Sequence, residues 1–149
     1  MAEIYILELK AWQKMISFYN NQLSTLKYKL FQAAKAPILI KDGARLETYQ
    51  VHIIALQDYF FDIEESIQHQ IEQIDTKYFF DDVFKNEVLE HQQLLLRYKM
   101  FSSEKKYLSF RYTLSQYLIG IFEVVILAKL NSHLPDLRSI SRRFTNIAV

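Results

Sequence analysis

The sequence predicts an all-α protein: an antiparallel four-helix bundle of long, coiled-coil-like helices with a short C-terminal element. Three observations carry that prediction. Half of the 149 residues are hydrophobic while Gly and Pro number only two each, which favours long helices over turn-rich β structure. Apolar residues recur at alternating steps of three and four, the spacing that gathers side chains on one side of a helix. Interruptions of that spacing coincide with residues able to stop or cap a helix. A chain of this length is expected to form one domain that buries about 70% of its unfolded surface. Residues 1–134 are assigned to the bundle and 135–149 to an amphipathic or disordered tail.

The first helix is expected from about Ala2 to Ala36. Tyr5, Leu9, Trp12, Ile16, Tyr19, Leu23, Leu26, Leu30 and Ala33 keep step without a miss, a coiled-coil seam. Lys14, Asn21, Gln32 and Lys35 fall on the outer positions, so a single stripe is buried. Trp12 and the seam tyrosines need partners for their polar tips. Pro37 stops the helix, because the residue before a proline is pushed out of helical geometry. Ile38-Leu39-Ile40 is then expected to fold over the bundle end as an apolar plug. Asp42-Gly43 supplies the turn, with Asp42 capping the next helix.

The second helix carries Leu46, Tyr49, Ile53, Leu56, Phe60, Ile63, Ile67 and Ile74 on its seam, with Gln70 as a polar gap. Its outer face is a row of Asp58, Asp62, Glu65, His69 and Glu72. Between Gly43 and Gly120 there is no Gly or Pro, so later boundaries rest on phase alone. The seam continues through Phe84, Val88, His91, Leu95 and Tyr98, which leaves one unbroken helix, and a three-helix layout, as the alternative. Residues 75–82 are poor in strong helix formers, and Asp75 and Asp81 can cap, so a break is expected there. The third helix then runs from about Asp82 to Phe101. A second slip in phase between Tyr98 and Tyr107, with Ser102-Ser103-Glu104 offering hydroxyl caps and an early carboxylate, starts the fourth.

That last helix organises the rest. Tyr107, Phe110, Leu114, Tyr117, Ile121, Val124 and Ala128 form one heptad row. Leu108, Tyr112, Ile119, Phe122 and Ile126 form a second, roughly opposite, and a helix apolar on two faces wants partners on both. These five residues are the candidate interface of a symmetric homodimer; the alternative is that the other helices wrap this one entirely. Gly120 costs helix stability, about 1 kcal/mol relative to Ala, and a close backbone approach is the expected return. Pro135 ends the region. The tail carries Leu137, Ile140, Phe144 and Ile147 with Arg138, Arg142 and Arg143, candidate contacts to the acidic middle of the chain.

The net charge of +1 hides a segregation. Residues 1–41 carry six Lys and two Glu, residues 42–96 three basic and twelve acidic groups, and residues 97–149 nine basic and three acidic groups. Basic outer helices flanking acidic inner ones help select the right packing. The same block of acid repels phosphate, which ranks nucleic-acid binding third among the functions; its candidates are Arg138, Arg142 and Arg143 with Phe144, and Lys105-Lys106-Tyr107.

Enzyme chemistry finds little support. Two glycines leave no phosphate-cradling loop, and the serines lack a nucleophile elbow, so no catalytic residue is assigned. Glu65-x-x-x-His69 and Glu87-x-x-x-His91 miss the three-residue Glu-His spacing of di-iron bundles, so no metal or other cofactor is expected. A surface cation site at Asp58, Asp62 and His69 is the alternative. His91 reads as a core histidine, and Glu123 as a helix-edge carboxylate. Without Cys there are no disulfides or thiolate metal sites, which fits a reducing compartment. The N-terminus lacks the pattern of a signal peptide. The run from Tyr117 to Leu130 falls short of the ~20 apolar residues that span a bilayer, and Glu123 interrupts it. The expectation is a cytoplasmic, non-enzymatic interaction or scaffolding protein, self-associating as a homodimer and not membrane-bound. A helical metal- or small-ligand-binding protein is second.

Overall fold

The computed structural model describes residues 2–36, 42–77 and 83–133. Among these, three helices account for the regular structure: α1 (Ala2–Ala34), α2 (Gly43–Lys77) and α3 (Val83–His133). The chain divides into two compact units, Met1–Leu114 and Ser115–Val149.

In the first unit the α1 seam is as the spacing predicts. Leu9, Ile16, Tyr19, Leu23, Leu26, Leu30 and Ala33 are buried, while Tyr5 and Trp12 are half-buried. α1 ends at Ala34, two residues short of the expectation. The N–H groups of Lys35 and Ala36 bond to the carbonyls of Gln32 (3.2 Å) and Ala33 (3.0 Å), a tightened last turn ahead of Pro37. α2 starts directly after Asp42, and every expected seam position from Leu46 to Ile74 is buried or half-buried, Gln70 included.

Cross-helix contacts give the directions. Gln13 and Ser24 of α1 pair with Gln68 and Gln57 of α2, so residue numbers run oppositely and the two helices are antiparallel. Glu8 and Tyr19 of α1 pair with Gln93 and Glu104 of α3, which is therefore parallel to α1. The first unit is thus an up-down-up three-helix bundle. α1 and α2 make the closest pair; α3 stands farther off, spanned by long side chains such as Tyr107, Gln93 and Arg97.

The expected four-helix bundle is corrected to three helices. The expected third and fourth helices are one helix, α3, from Val83 onward, with no break at Ser102-Ser103-Glu104. The phase there never slips. Leu89, Gln93, Leu96, Met100, Ser103 and Tyr107 are buried in strict steps of four and three, whereas Val88, His91, Leu95 and Tyr98 are exposed. The true seam lies one residue over from the more apolar one. Two of its polar members are satisfied where they stand: Gln93 by its bond to Glu8, and Ser103, whose hydroxyl donates to the Met100 carbonyl (2.8 Å), so that it is an interior residue and not a cap. Of the break expected at residues 75–82, residues 75–77 belong to α2, so Asp75 is an interior helix residue and not a cap, and α3 begins at Val83. Residues 78–82 with Asp81, the apolar plug at 38–40, the Phe84 side chain and the tail lie outside the described residues.

Two layers tie the helices together. One is aromatic: Tyr19, Phe60 and Tyr107, one from each helix, meet at centroid separations of 4.5–6.2 Å. Tyr19 donates its hydroxyl to the Glu104 carboxylate; burial first, then that carboxylate, raises its pKa and keeps it a donor. The other layer is polar. Gln70 of α2 donates to the Leu89 carbonyl (3.0 Å) and lies beside the buried Gln93, which donates to Glu8 (2.8 Å). Arg97 forms a two-pronged bond to the same carboxylate (2.8 and 2.9 Å). A one-residue slip of α3 would break every one of these bonds, so the layer sets the register.

This layer has a pH signature. Burial alone would raise the Glu8 carboxyl, but the bonds from Arg97 and Gln93 and the Arg97 charge outweigh it and hold the pKa below the usual carboxylate value. Stability from a lowered carboxyl is fully present above the unfolded value of about 4.3 and is lost as pH falls through the folded value. Glu8→Gln is expected to cost about 1 kcal/mol at neutral pH, a modest figure because Arg97 remains well exposed. The variant should also lose less stability than the wild type between pH 5 and about pH 3. Urea denaturation at both ends of that range checks it, and parallel pH profiles would remove Glu8 from the account.

In the second unit α3 continues to His133. Leu118 and Ile121 are buried, but Val124 and Ala128 of the expected inner row are exposed. α3 has 51 residues against 33 in α1 and 35 in α2.

Candidate functional site

The five candidate interface residues are all half or more exposed. In the first unit these are Leu108 and Tyr112. They are joined there by Leu94, Tyr98 and Phe101, which occupy the same two heptad positions and are also at least half exposed. Sequence reasoning missed these three because the supposed phase slip placed Tyr98 on the core. Counting back by sevens from Leu108 reaches Phe101 and Leu94, and by fourteen from Tyr112 reaches Tyr98, so the signal was there. In the second unit Ile119, Phe122 and Ile126 are exposed, and so are Val124, Leu127 and Leu130, which lie at other angles around the helix. A side chain added at Gly120 would meet nothing within 4 Å, so no close backbone approach within the chain explains that glycine.

By length and composition alone α3 could cross a membrane: its best 18-residue window has a mean hydropathy of 1.5 and is 17% buried. The expectation from Tyr117–Leu130 that the run is too short was drawn on a narrower stretch. Core helices of soluble proteins share that length and composition but are mostly buried, which this window is not.

The acidic row Asp58, Asp62, Glu65, His69 and Glu72 faces solvent, away from the α2 seam. Among the described residues no three His, Asp or Glu side chains converge in a way that would hold a metal ion. His91 is exposed, a correction to its reading as a core histidine, and Glu123 is exposed at the helix edge. Arg138, Arg142 and Arg143 lie outside the described residues.

A groove that the sequence did not reveal runs between α2 and α3 in the first unit, with a volume of about 760 Å³. Three other crevices are smaller, about 370, 440 and 300 Å³. Its α2 wall comprises Tyr49, His52, Ala55, Leu56 and Tyr59. Its α3 wall comprises Ser102, Lys105, Lys106, Ser109, Phe110 and Thr113. The Phe110 ring is braced edge-on by His52 (5.5 Å) and by Tyr49 (6.2 Å). The Lys106 ammonium sits 4.9 Å above the Tyr59 ring. Each wall combines residues three, four and seven apart, which is why they share a face; which two faces would meet was a matter of tertiary packing. Comparison with family models, with curated proteins and with solved structures finds no match for this chain.

Proposed function

We propose that this chain is a non-enzymatic interaction protein that assembles through α3, the outer row of one copy docking on the same row of a second. The observation that supports this reading is the exposure of Leu108, Tyr112, Ile119, Phe122 and Ile126 at two recurring heptad positions opposite the buried seam. Fully burying one such side chain contributes ~1.5–3 kcal/mol, and about half of that is still to be gained at each of the five. Exposed apolar side chains that recur in this way are an aggregation liability unless a partner covers them. A two-fold pairing covers both copies with one self-complementary surface and leaves no open end.

A bilayer is the rival occupant, favoured by the apolar length of α3. Against it stands Glu123, whose placement within the hydrocarbon would cost roughly 2.5–3.5 kcal/mol near the centre of the span. Leu118 and Ile121 are also already buried within the chain.

Light scattering separates the readings. The wild type is expected to be dimeric at micromolar concentration, and Ile119→Glu with Phe122→Glu to give folded monomers with unchanged helix content. A wild type that stays monomeric at high concentration sinks the proposal. A monomer that floats with phospholipid vesicles assigns the row to lipid instead.

A further inference from the structure

We propose that the α2/α3 groove of the first unit binds a small amphipathic anion, an apolar or aromatic body bearing one carboxylate, sulfonate or phosphate group. The inference does not depend on self-association. It rests on size, wall chemistry and charge. At about 760 Å³ the groove falls within the ~300–1,000 Å³ typical of small-molecule sites. Its existence follows from the wider spacing of α3 from the close α1/α2 pair.

The α2 wall supplies most of the apolar surface, and Phe110 of α3 completes it. Phe110 is held between Tyr49 and His52 before any ligand arrives, so a flat apolar body would meet a fixed ring surface with little reordering cost. On α3 a polar row, Ser102, Lys106, Ser109 and Thr113, repeats at steps of four, three and four and lines the same groove. Thr113 spends its hydroxyl on the Ser109 carbonyl (3.1 Å). The Ser102 and Ser109 hydroxyls can therefore serve as the donors beside the cations.

Charge selects the ligand. Lys105 and Lys106 both line the groove, and among the described residues no carboxylate does. The smaller crevices are different: one sets Glu65 against Lys99, a second is lined by Glu64, Glu65 and Glu72, and a third carries Glu47, so none of the three has lysine without a carboxylate. The cationic end is therefore local to this groove on a helix pair whose α2 member is otherwise acidic. The Tyr59 ring positions the Lys106 ammonium by a cation–π contact while leaving its N–H donors to a ligand. An anion at this rim gains charge-assisted hydrogen bonds that a neutral analogue of the same shape lacks.

The test is fluorescence titration of the full chain with 1-anilinonaphthalene-8-sulfonate and with its uncharged counterpart N-phenyl-1-naphthylamine. The sulfonate is expected to bind saturably at one site per chain and more tightly than the neutral dye. Lys105→Ala with Lys106→Ala should weaken the sulfonate about 10- to 100-fold and leave the neutral dye nearly unchanged. Ser109→Glu, an exposed position that places a carboxylate in the groove, should act in the same direction. Ile119→Glu with Phe122→Glu should leave sulfonate binding intact, which keeps failure of this site distinct from failure of the dimer. Equal affinity for the two dyes, or indifference to the lysine pair, overturns the proposal. So does loss of binding in the Ile119/Phe122 variant alone, or equal competition by inorganic sulfate.

Discussion

Phe60→Ala is expected to destabilise the first unit by about 3–5 kcal/mol, the usual cost of deleting a buried aromatic ring. Phe60 is 0% exposed and sits between Tyr19 (5.5 Å) and Tyr107 (6.2 Å). Its removal opens a cavity where all three helices meet, and the contacts among the remaining rings offer little means of collapse. Domains of this size are stable by only ~5–15 kcal/mol, so the loss would be a large fraction of the total. The neighbouring Phe61 is 58% exposed and supplies the control: Phe61→Ala should change stability by less than about 1 kcal/mol. Guanidinium unfolding followed by circular dichroism measures both. Similar losses for the two would mean that the face assigned to the core of α2 is wrong.

The second large effect distinguishes two registers of α3. Leu96 is 5% exposed and Leu95 is 48% exposed. Leu96→Ala is expected to cost about 2–5 kcal/mol and Leu95→Ala under about 1 kcal/mol. The more apolar neighbourhood of Val88, His91, Leu95 and Tyr98 predicts the reverse order. Because Leu95 and Leu96 are chemically identical and adjacent, the difference isolates register from helix propensity. A larger loss at Leu95 would restore the phase slip, and with it a helix boundary near Ser102.

Those two pairs mark where the sequence was legible. The faces of α1 and α2 could be read directly because their seams are almost wholly apolar, and Gln70 is a single exception within an unbroken step pattern. The second row on α3 was legible only in part: the spacing of Leu108, Tyr112, Ile119, Phe122 and Ile126 could be read, but its continuation back through Phe101, Tyr98 and Leu94 was hidden by the supposed slip in phase. The α3 seam was not, because Gln93 and Ser103 lie on it and a polar residue reads as an outward one. The groove was also hidden, since its two walls are separated by about fifty residues and neither alone distinguishes a lining face from an ordinary solvated one.

The helical class, the long uninterrupted periodicity of α1 and α2 and the doubly apolar character of α3 follow from the sequence by itself. Those properties depend only on which side of a helix each residue occupies, and 3.6 residues per turn decides that locally. The continuity of α3 through Ser102-Ser103-Glu104, its register and the groove beside α2 were decided by the tertiary structure. Gln93 can be buried because Glu8 of α1 accepts its hydrogen bond and Gln70 of α2 lies beside it, and Glu104 is held in mid-helix by the Tyr19 hydroxyl. A buried polar group is tolerable only where distant residues satisfy it, and no local pattern announces that they will.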